Sequence, residues 1–464
     1  MTTPTAASPP RALPLPVLRR ASSVLPVLPV VAVVALLGLP VAPDSRATPA
    51  DAASGLLVLW ALVHTVRQAR RPLTRTAAVV LGLPVVGLAV AASGAAAPGD
   101  ALTGLARHLQ VFVLVPIAVV LLVRDRRDAR LLLWSLVGLA LWQGTVGVHQ
   151  YLTGTGASYQ GTYIRAVGTF GPADVMGMAT VVAFGVVVAT GLALGTKRRR
   201  QQVLATGCAL ALLVPLALSF SRGAWIATAA GCGAQLLLAG VRRAVTVCAA
   251  AAAAAVLLVG GFGVGSAVLQ ERLTSITQVA AAPDQSVVDR YSLWAAAVDM
   301  WRGHPVAGVG LKAFPQHRDG HASLALSSGS DIEGVGWVYR RQPLLSPHNM
   351  YLLVLSEQGL LGVLTTVGSW LALLVCALRR LRRAGRARDC AIAACGLLLW
   401  QLVDFLYADI GGPSTILTAV VFGVCAWWAL ARDAAPASTP TGAPAGAPAG
   451  TPTGARATVQ AGAR

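Results

Sequence analysis

The sequence predicts an all-α, polytopic membrane protein of about twelve transmembrane helices, with cytoplasmic termini and one large extracytoplasmic loop. Three observations predict it. The residues are 55% hydrophobic and only 12% charged, where a soluble domain carries roughly 25% charged residues. The apolar residues gather into runs of about 20, the length of helix that crosses a bilayer. Arginine clusters recur in every second connection, as the positive-inside rule requires.

Taken in order, the apolar runs place spans at 24–42, 50–66, 76–97, 101–123, 131–152, 173–194, 202–220, 223–240, 244–269, 348–378, 390–409 and 413–431. The basic clusters begin with Arg11, Arg19 and Arg20, then Arg67 to Arg75, Arg124 to Arg130 and Lys197 to Arg200. Arg242 and Arg243, Arg379 to Arg388 and Arg432 complete them. Twelve spans put every cluster on one face, and one span more or fewer early in the chain would break the alternation. The net charge of +19 is therefore read as membrane orientation and not as a nucleic-acid footprint. The first apolar run continues to about Val41 with no cleavage site, so it reads as a span and not as a signal peptide. The seven cysteines all fall in apolar runs without metal-ligand spacing, so neither disulfides nor a metal site is expected. The resulting organisation is a cytoplasmic segment at 1–23, nine spans over 24–269, an extracytoplasmic loop at 270–347 and three spans over 348–431. An Ala/Pro/Gly-rich cytoplasmic tail at 432–464 has the composition of disorder.

Two outer segments stand out. Residues 153–172 read as a polar, glycine-rich loop. Residues 270–347 are too long for a mere connection, and such loops usually carry function. Within the long loop, Val287, Tyr291, Trp294, Val298 and Trp301 recur at helical spacing and form one apolar face. Ser286 caps the start, His304-Pro305 ends the helix, and the tryptophans suit a helix lying at the membrane interface.

Chemistry concentrates in three stretches at the outer ends of spans: SFSRGAW at 219–225, DRYSLWAAAVDMWRGHPVAGVG at 289–310 and PHNMYLLVLSEQGLLG at 347–362. Each sets an ionisable residue, Arg222, Arg290 or His348, against an apolar wall, where charge is costly and function is the default expectation. Blander readings stand beside this one: Arg222 snorkelling to headgroups, Arg290 solvated on its helix, His348 and Asn349 capping a helix. Arg107 and His108, early in span four, and Asp174, at the start of span six, either line a cavity or sit at the interface.

In this order the three stretches resemble the O-antigen ligase and polymerase family of bacterial membrane glycosyltransferases. The resemblance rests on Ser221-Arg222-Gly223, Arg290 with Trp294, His304-Pro305 with Gly308 and Gly310, His348-Asn349, and Glu357 with Gly359 and Gly362. Arg165 to Phe170 look like the family's R-x-x-G-T-F loop, although Pro172-Ala173-Asp174 departs from the Pro-Asn that tends to follow. The resemblance implies a GT-C-like helical enzyme that takes a glycan from a polyprenyl-diphosphate donor. It implies transfer to a hydroxyl of a glycan, lipid or protein acceptor at the outer membrane face. Arg222 and Arg290 would hold the diphosphate and His348 would act as the base, with inversion at the anomeric carbon and with no metal or other cofactor. Arg165, Asn349, Glu357, Arg302 and Arg107 are the further substrate-binding candidates. The rival reading is a twelve-span transporter or flippase, which predicts paired ionisable residues at mid-bilayer and broken helices in both halves.

Overall fold

The computed structural model describes residues 26–42, 48–67, 73–159, 162–256, 285–327, 330–333 and 339–431. The chain is an α-helical polytopic membrane protein. Seven described helices are long and apolar enough to cross a membrane. They are α2 (Pro49–Arg67), α3 (Arg75–Ser93), α4 (Pro98–Leu122), α5 (Arg126–Thr153), α6 (Gly177–Gly195), α7 (Arg199–Leu218) and α12 (Met350–Leu381). The remaining expected spans fall on shorter or less apolar helices: α1 (Leu28–Leu36), α8 (Arg222–Ala239), α9 (Val241–Val256), α13 (Arg388–Asp404) and α14 (Thr415–Leu430). Two further helices, α10 (Gln285–Gly303) and α11 (Phe314–His321), lie between α9 and α12. The segments 1–23, 257–284 and 432–464 of the sequence reading lie outside the described residues.

Small residues set the helix packing. A Cβ on Gly191 of α6 would lie 2.5 Å from the Ala393 Cα of α13. These helices therefore meet backbone to backbone, the way membrane helices gain contact when lipid removes the hydrophobic drive between them. Residues on every side of α6 and α13 are buried.

Among the described residues, the basic clusters at 124–130, 242–243 and 379–388 meet at one end of the bundle. There Asp389, fully buried, accepts from Arg126 at 3.0 and 2.8 Å and is also paired with Arg130. A buried carboxylate is tolerable because two guanidinium groups satisfy it together. Neighbouring arginines donate to carbonyls at helix C-termini: Arg388 to Leu238 at 3.1 Å, Arg243 to Leu194 at 3.0 Å, and Arg380 to Trp428 and Ala431 at 2.9 and 2.6 Å. Each cation meets the negative end of a helix dipole. Arg222 and His348 lie at the opposite ends of α8 and α12 from these arginines.

The segment 153–172 differs from the loop expected. Ala157–Tyr159 and Thr162–Arg165 pair as an antiparallel hairpin, and Gly168–Ala173 forms a 3-10 turn. Gln150 fixes the turn by accepting from the backbone of Val167 and Gly168 at 3.0 and 2.9 Å. Helix α10 forms where expected, but its packed face is another one. Asp289, Ser292, Leu293, Ala296, Ala297 and Met300 are buried, whereas Tyr291 is 62% exposed. Small side chains allow close approach to α12, so the aromatic stripe is left on the outer side. Trp294 and Trp301 are tied back by hydrogen bonds from their indole N–H to the Pro347 and Pro305 carbonyls, at 2.9 and 3.2 Å.

Helix α12 is broken at Gly359, which has φ 63° and ψ −163°. This region is open essentially to glycine alone. The break leaves backbone groups that the segment 305–310 satisfies. Val309 and Gly310 donate to the Ser356 and Glu357 carbonyls at 2.9 and 3.0 Å, while Leu360 and Leu361 donate to Pro305 and Val306 at 2.9 and 3.1 Å. The His-Pro-x-x-Gly-Val-Gly and Glu-x-Gly motifs are thus two halves of one joint. Gly359→Ala places a Cβ against the Val306 carbonyl and forces a disallowed backbone, at a cost of about 2 kcal/mol or more. The expected result is a clearly lower unfolding midpoint in nanodiscs; an unchanged midpoint would show that the break is dispensable.

Candidate active site

The candidate residues reach one end of the bundle by different local routes. Ser221 is the N-cap of α8, its hydroxyl accepting from the Ala224 N–H at 3.3 Å. That cap leaves Arg222 exposed at the first helical position. Asn349 is the N-cap of α12. Its Oδ1 accepts from the Leu352 N–H at 3.1 Å and its amide nitrogen donates to the Leu406 carbonyl at 3.1 Å. Both polar ends of Asn349 are therefore used in fixing the turn that presents His348. Arg290 lies half-buried on α10, beside Asp289. Asp289 ties the helix down by accepting from the Ser327 N–H and hydroxyl at 2.8 and 2.7 Å.

Three non-glycine residues among those described have positive φ: Phe220 at 51°, Lys312 at 59° and His348 at 48°. Each such residue costs on the order of 1 kcal/mol or more, and such strain gathers at functional sites. Phe220 sits two residues before Arg222, and His348 is itself a candidate.

Electrostatics ties the three candidates together. Burial holds the Arg290 guanidinium below its usual value, the charge of Arg222 pushes the same way, and Tyr407 opposes them. Burial also holds the His348 imidazole below its usual value, with Asp409 raising it and Arg290 lowering it further. Arg290 thus feels Arg222 on one side and His348 on the other. Two cations held close together against their own repulsion suit a ligand with more than one negative charge. A neutral imidazole next to them is able to take up a proton.

The other candidates divide. Arg165 joins the Arg222 stretch, donating from Nε to the Ser219 carbonyl at 3.1 Å. Arg107 is ion-paired to Asp51 and donates to Gln110 at 3.0 Å and to the Gly412 carbonyl at 3.1 Å. Glu357 is buried at the joint of α12 and accepts from the Phe314 N–H at 3.2 Å. Arg302 is exposed near the end of α10. Twelve residues beyond Arg290, it stands about 18 Å farther along the helix at a rise of about 1.5 Å per residue.

The sequence places 405–409 inside the span expected at 390–409, but the helix ends at Asp404 and α14 begins at Thr415, so 405–414 is a connection. Here it is the junction of the whole site. Met350 donates to the Phe405 and Ala408 carbonyls at 2.9 and 3.1 Å, and Tyr407 lies against Gly223. Asp174 accepts from the Ser414 hydroxyl at 2.6 Å, and burial pushes its carboxyl up against that hydrogen bond. Asp409 acts on His348. The available signal was an acid and an aromatic residue just before Gly-Gly-Pro-Ser in an otherwise apolar stretch.

Asp409 also lines a cavity of about 440 Å³, along with His108, Lys312 and Glu357. Among the described residues no group of three His, Cys, Asp or Glu side chains is placed to hold a metal ion.

No curated protein matches the chain. Residues 207–367 match the family described as O-Antigen ligase, and the matched stretch runs from within α7 into α12, taking in Arg222, Arg290, His348 and Glu357. Apolar helices flank that stretch on either side, so a segment similar to the O-antigen ligase family lies within a multi-pass membrane protein.

Proposed function

We propose that the protein transfers a glycan from a polyprenyl-diphosphate donor to an acceptor hydroxyl at the outer face of the cytoplasmic membrane, in the assembly of a cell-surface polysaccharide. The observation that carries this reading is that Arg222, Arg290 and His348 come from three separate parts of the stretch similar to O-antigen ligases, with Arg290 electrostatically linked to each of the other two. In this reading the two guanidinium groups grip the diphosphate through paired N–H donors. His348 takes the proton of the acceptor hydroxyl as its oxygen attacks the anomeric carbon from the face opposite the diphosphate. The carbon–oxygen bond to the diphosphate breaks with its electron pair leaving on phosphate oxygen, where the arginines stabilise the new charge. The products are an inverted glycoside and the lipid diphosphate, and the imidazolium then releases its proton to water. No metal takes part. Arg165, next to the Arg222 stretch, assists in donor binding, while Asn349 and Glu357 hold the turn and the helix break that position His348.

The test is reconstitution in nanodiscs with a polyprenyl-diphosphate-linked glycan and a panel of glycan, lipid and protein acceptors. Release of lipid diphosphate coupled to glycan transfer is expected; binding and translocation of the donor without bond cleavage would overturn the reading.

The proposal places twelve spans in a GT-C-like arrangement, with both termini inside and the 270–347 loop outside. Single-cysteine labelling in a cysteine-free background checks it. Cysteine at exposed Ser323 should react with an impermeant maleimide added outside, and cysteine at exposed Arg200 only after permeabilisation. The reverse pattern would sink both topology and mechanism.

A further inference from the structure

A cavity reaches Ser346, two residues before His348, and is lined by none of Arg222, Arg290 and His348. Its polar walls come from Asp100, Thr103, His108, Lys312, Gln316, Ser346, Glu357 and Asp409, and the Gln316 amide is turned to Asp100 at 3.4 Å. Two links join it to His348: the His348 N–H donates to the Ser346 hydroxyl at 3.3 Å, and Asp409 acts on the imidazole. At about 440 Å³ it falls in the range of small-molecule sites.

Among the described residues, two buried polar atoms of the lining side chains have no hydrogen-bond partner: His108 Nε2 and Asp409 Oδ2. His108 is 1% exposed, and its Nδ1 lies 2.8 Å from the Gly104 carbonyl. A carbonyl oxygen only accepts, so Nδ1 carries the hydrogen and Nε2 of the neutral ring presents a lone pair. Both orphan atoms are therefore acceptors awaiting O–H or N–H donors, and a buried polar group left without a partner costs about 1–3 kcal/mol. Three carboxyl groups, those of Asp100, Glu357 and Asp409, disfavour an anion. Lys312 supplies a cationic donor from a strained backbone, with φ 59°. A wall of acceptors with one strong donor matches a ring bearing several hydroxyl groups, each of which donates and accepts.

We propose that this cavity seats the acceptor's terminal sugar, a neutral, hydroxyl-rich residue whose free hydroxyl projects to His348. Its hydroxyl groups donate to His108 Nε2 and Asp409 Oδ2, and Lys312 donates to a sugar oxygen. The proposal rests on the transferase reading, and it deepens that reading by assigning the acceptor a site and a chemical class. The donor arginines and the acceptor cavity then flank His348 as two independent subsites.

The test uses the full chain in nanodiscs and saturation-transfer NMR with methyl glycosides of glucose, galactose and rhamnose, and with methyl glucuronide as the anionic probe. At least one neutral glycoside is expected to bind, more tightly than the glucuronide. His108→Phe and Asp409→Asn should each weaken that binding at least tenfold. Thr103→Trp, which fills the cavity from its exposed edge and leaves the other polar groups in place, should do the same. Arg290→Ala should leave glycoside binding unchanged, because that arginine does not line the cavity. Equal binding in wild type, Asp409→Asn and Thr103→Trp would overturn the proposal, as would preference for the glucuronide or no glycoside binding at all. Donor binding and turnover, measured alongside, separate the two readings. Turnover without glycoside binding removes the cavity assignment alone, whereas glycoside binding without donor use removes the transferase.

Discussion

His348→Gln is expected to lower transfer by about 100- to 10,000-fold, the usual cost of losing a general base, while donor binding stays close to wild type. Glutamine keeps a polar side chain of similar reach but takes up no proton near neutral pH. His348→Asn is the companion variant. Asparagine tolerates the left-handed backbone that His348 adopts at φ 48°, so this protein should fold at least as stably as wild type and remain inactive. Full activity in either variant would return His348 to a purely structural role. The pH profile supplies a second readout. Because the folded imidazole lies below its ordinary value of 6.5, the base is unprotonated at neutral pH. The acid limb of kcat/KM should therefore have its midpoint below pH 6.5. Asp409 raises the value and Arg290 lowers it. Asp409→Asn should therefore shift the acid limb to lower pH and Arg290→Ala should shift it higher; a limb unmoved by both would show that it reports another group.

Arg290→Ala should cost about 100-fold or more in donor use, comparable to removing one preorganised donor from an oxyanion site. Arg290→Lys should be impaired as well, because an ammonium keeps the charge but loses the planar fork that matches phosphate oxygens. Loss of one cation also relieves the repulsion on Arg222, so Arg222→Ala and Arg290→Ala are expected to be non-additive. The check is a double-mutant cycle on donor binding by the reconstituted protein. Wild-type donor use in both single variants would remove the diphosphate role and most of the mechanism with it.

The helical membrane architecture was legible because it depends on composition and on a charge alternation that survives errors at any one boundary. Arg222, Arg290 and His348 became candidates for a related reason: ionisable side chains stand out in apolar surroundings. Other features depend on tertiary contacts that no local pattern reveals. The buried face of α10 is set by Ser292, Ala296 and Ala297, whose small size matters only against a neighbour, so the aromatic stripe said nothing of which face packs. Tyr407 and Asp409 fall inside the span expected at 390–409, and only the early end of that helix at Asp404 frees them to meet the other stretches. His108 was noticed as an ionisable residue early in a span, yet only the structure places its Nε2 in a wall shared with Asp409 and Lys312.

The break at Gly359 imposes an order on biogenesis. Ser356 and Glu357 offer carbonyls, and Leu360 and Leu361 offer N–H groups, that are satisfied by residues 305–310 and not within their own helix. In hydrocarbon each such group left unpaired costs several kcal/mol. Helix α12 therefore cannot enter the bilayer in its final form alone. In the proposed orientation its partner segment, some fifty residues nearer the N-terminus, has already crossed to the outer side when α12 leaves the ribosome. The chain supplies the splint before the fracture. Permuted or split versions that deliver α12 first should insert poorly, even though every residue of the mature protein would still be present.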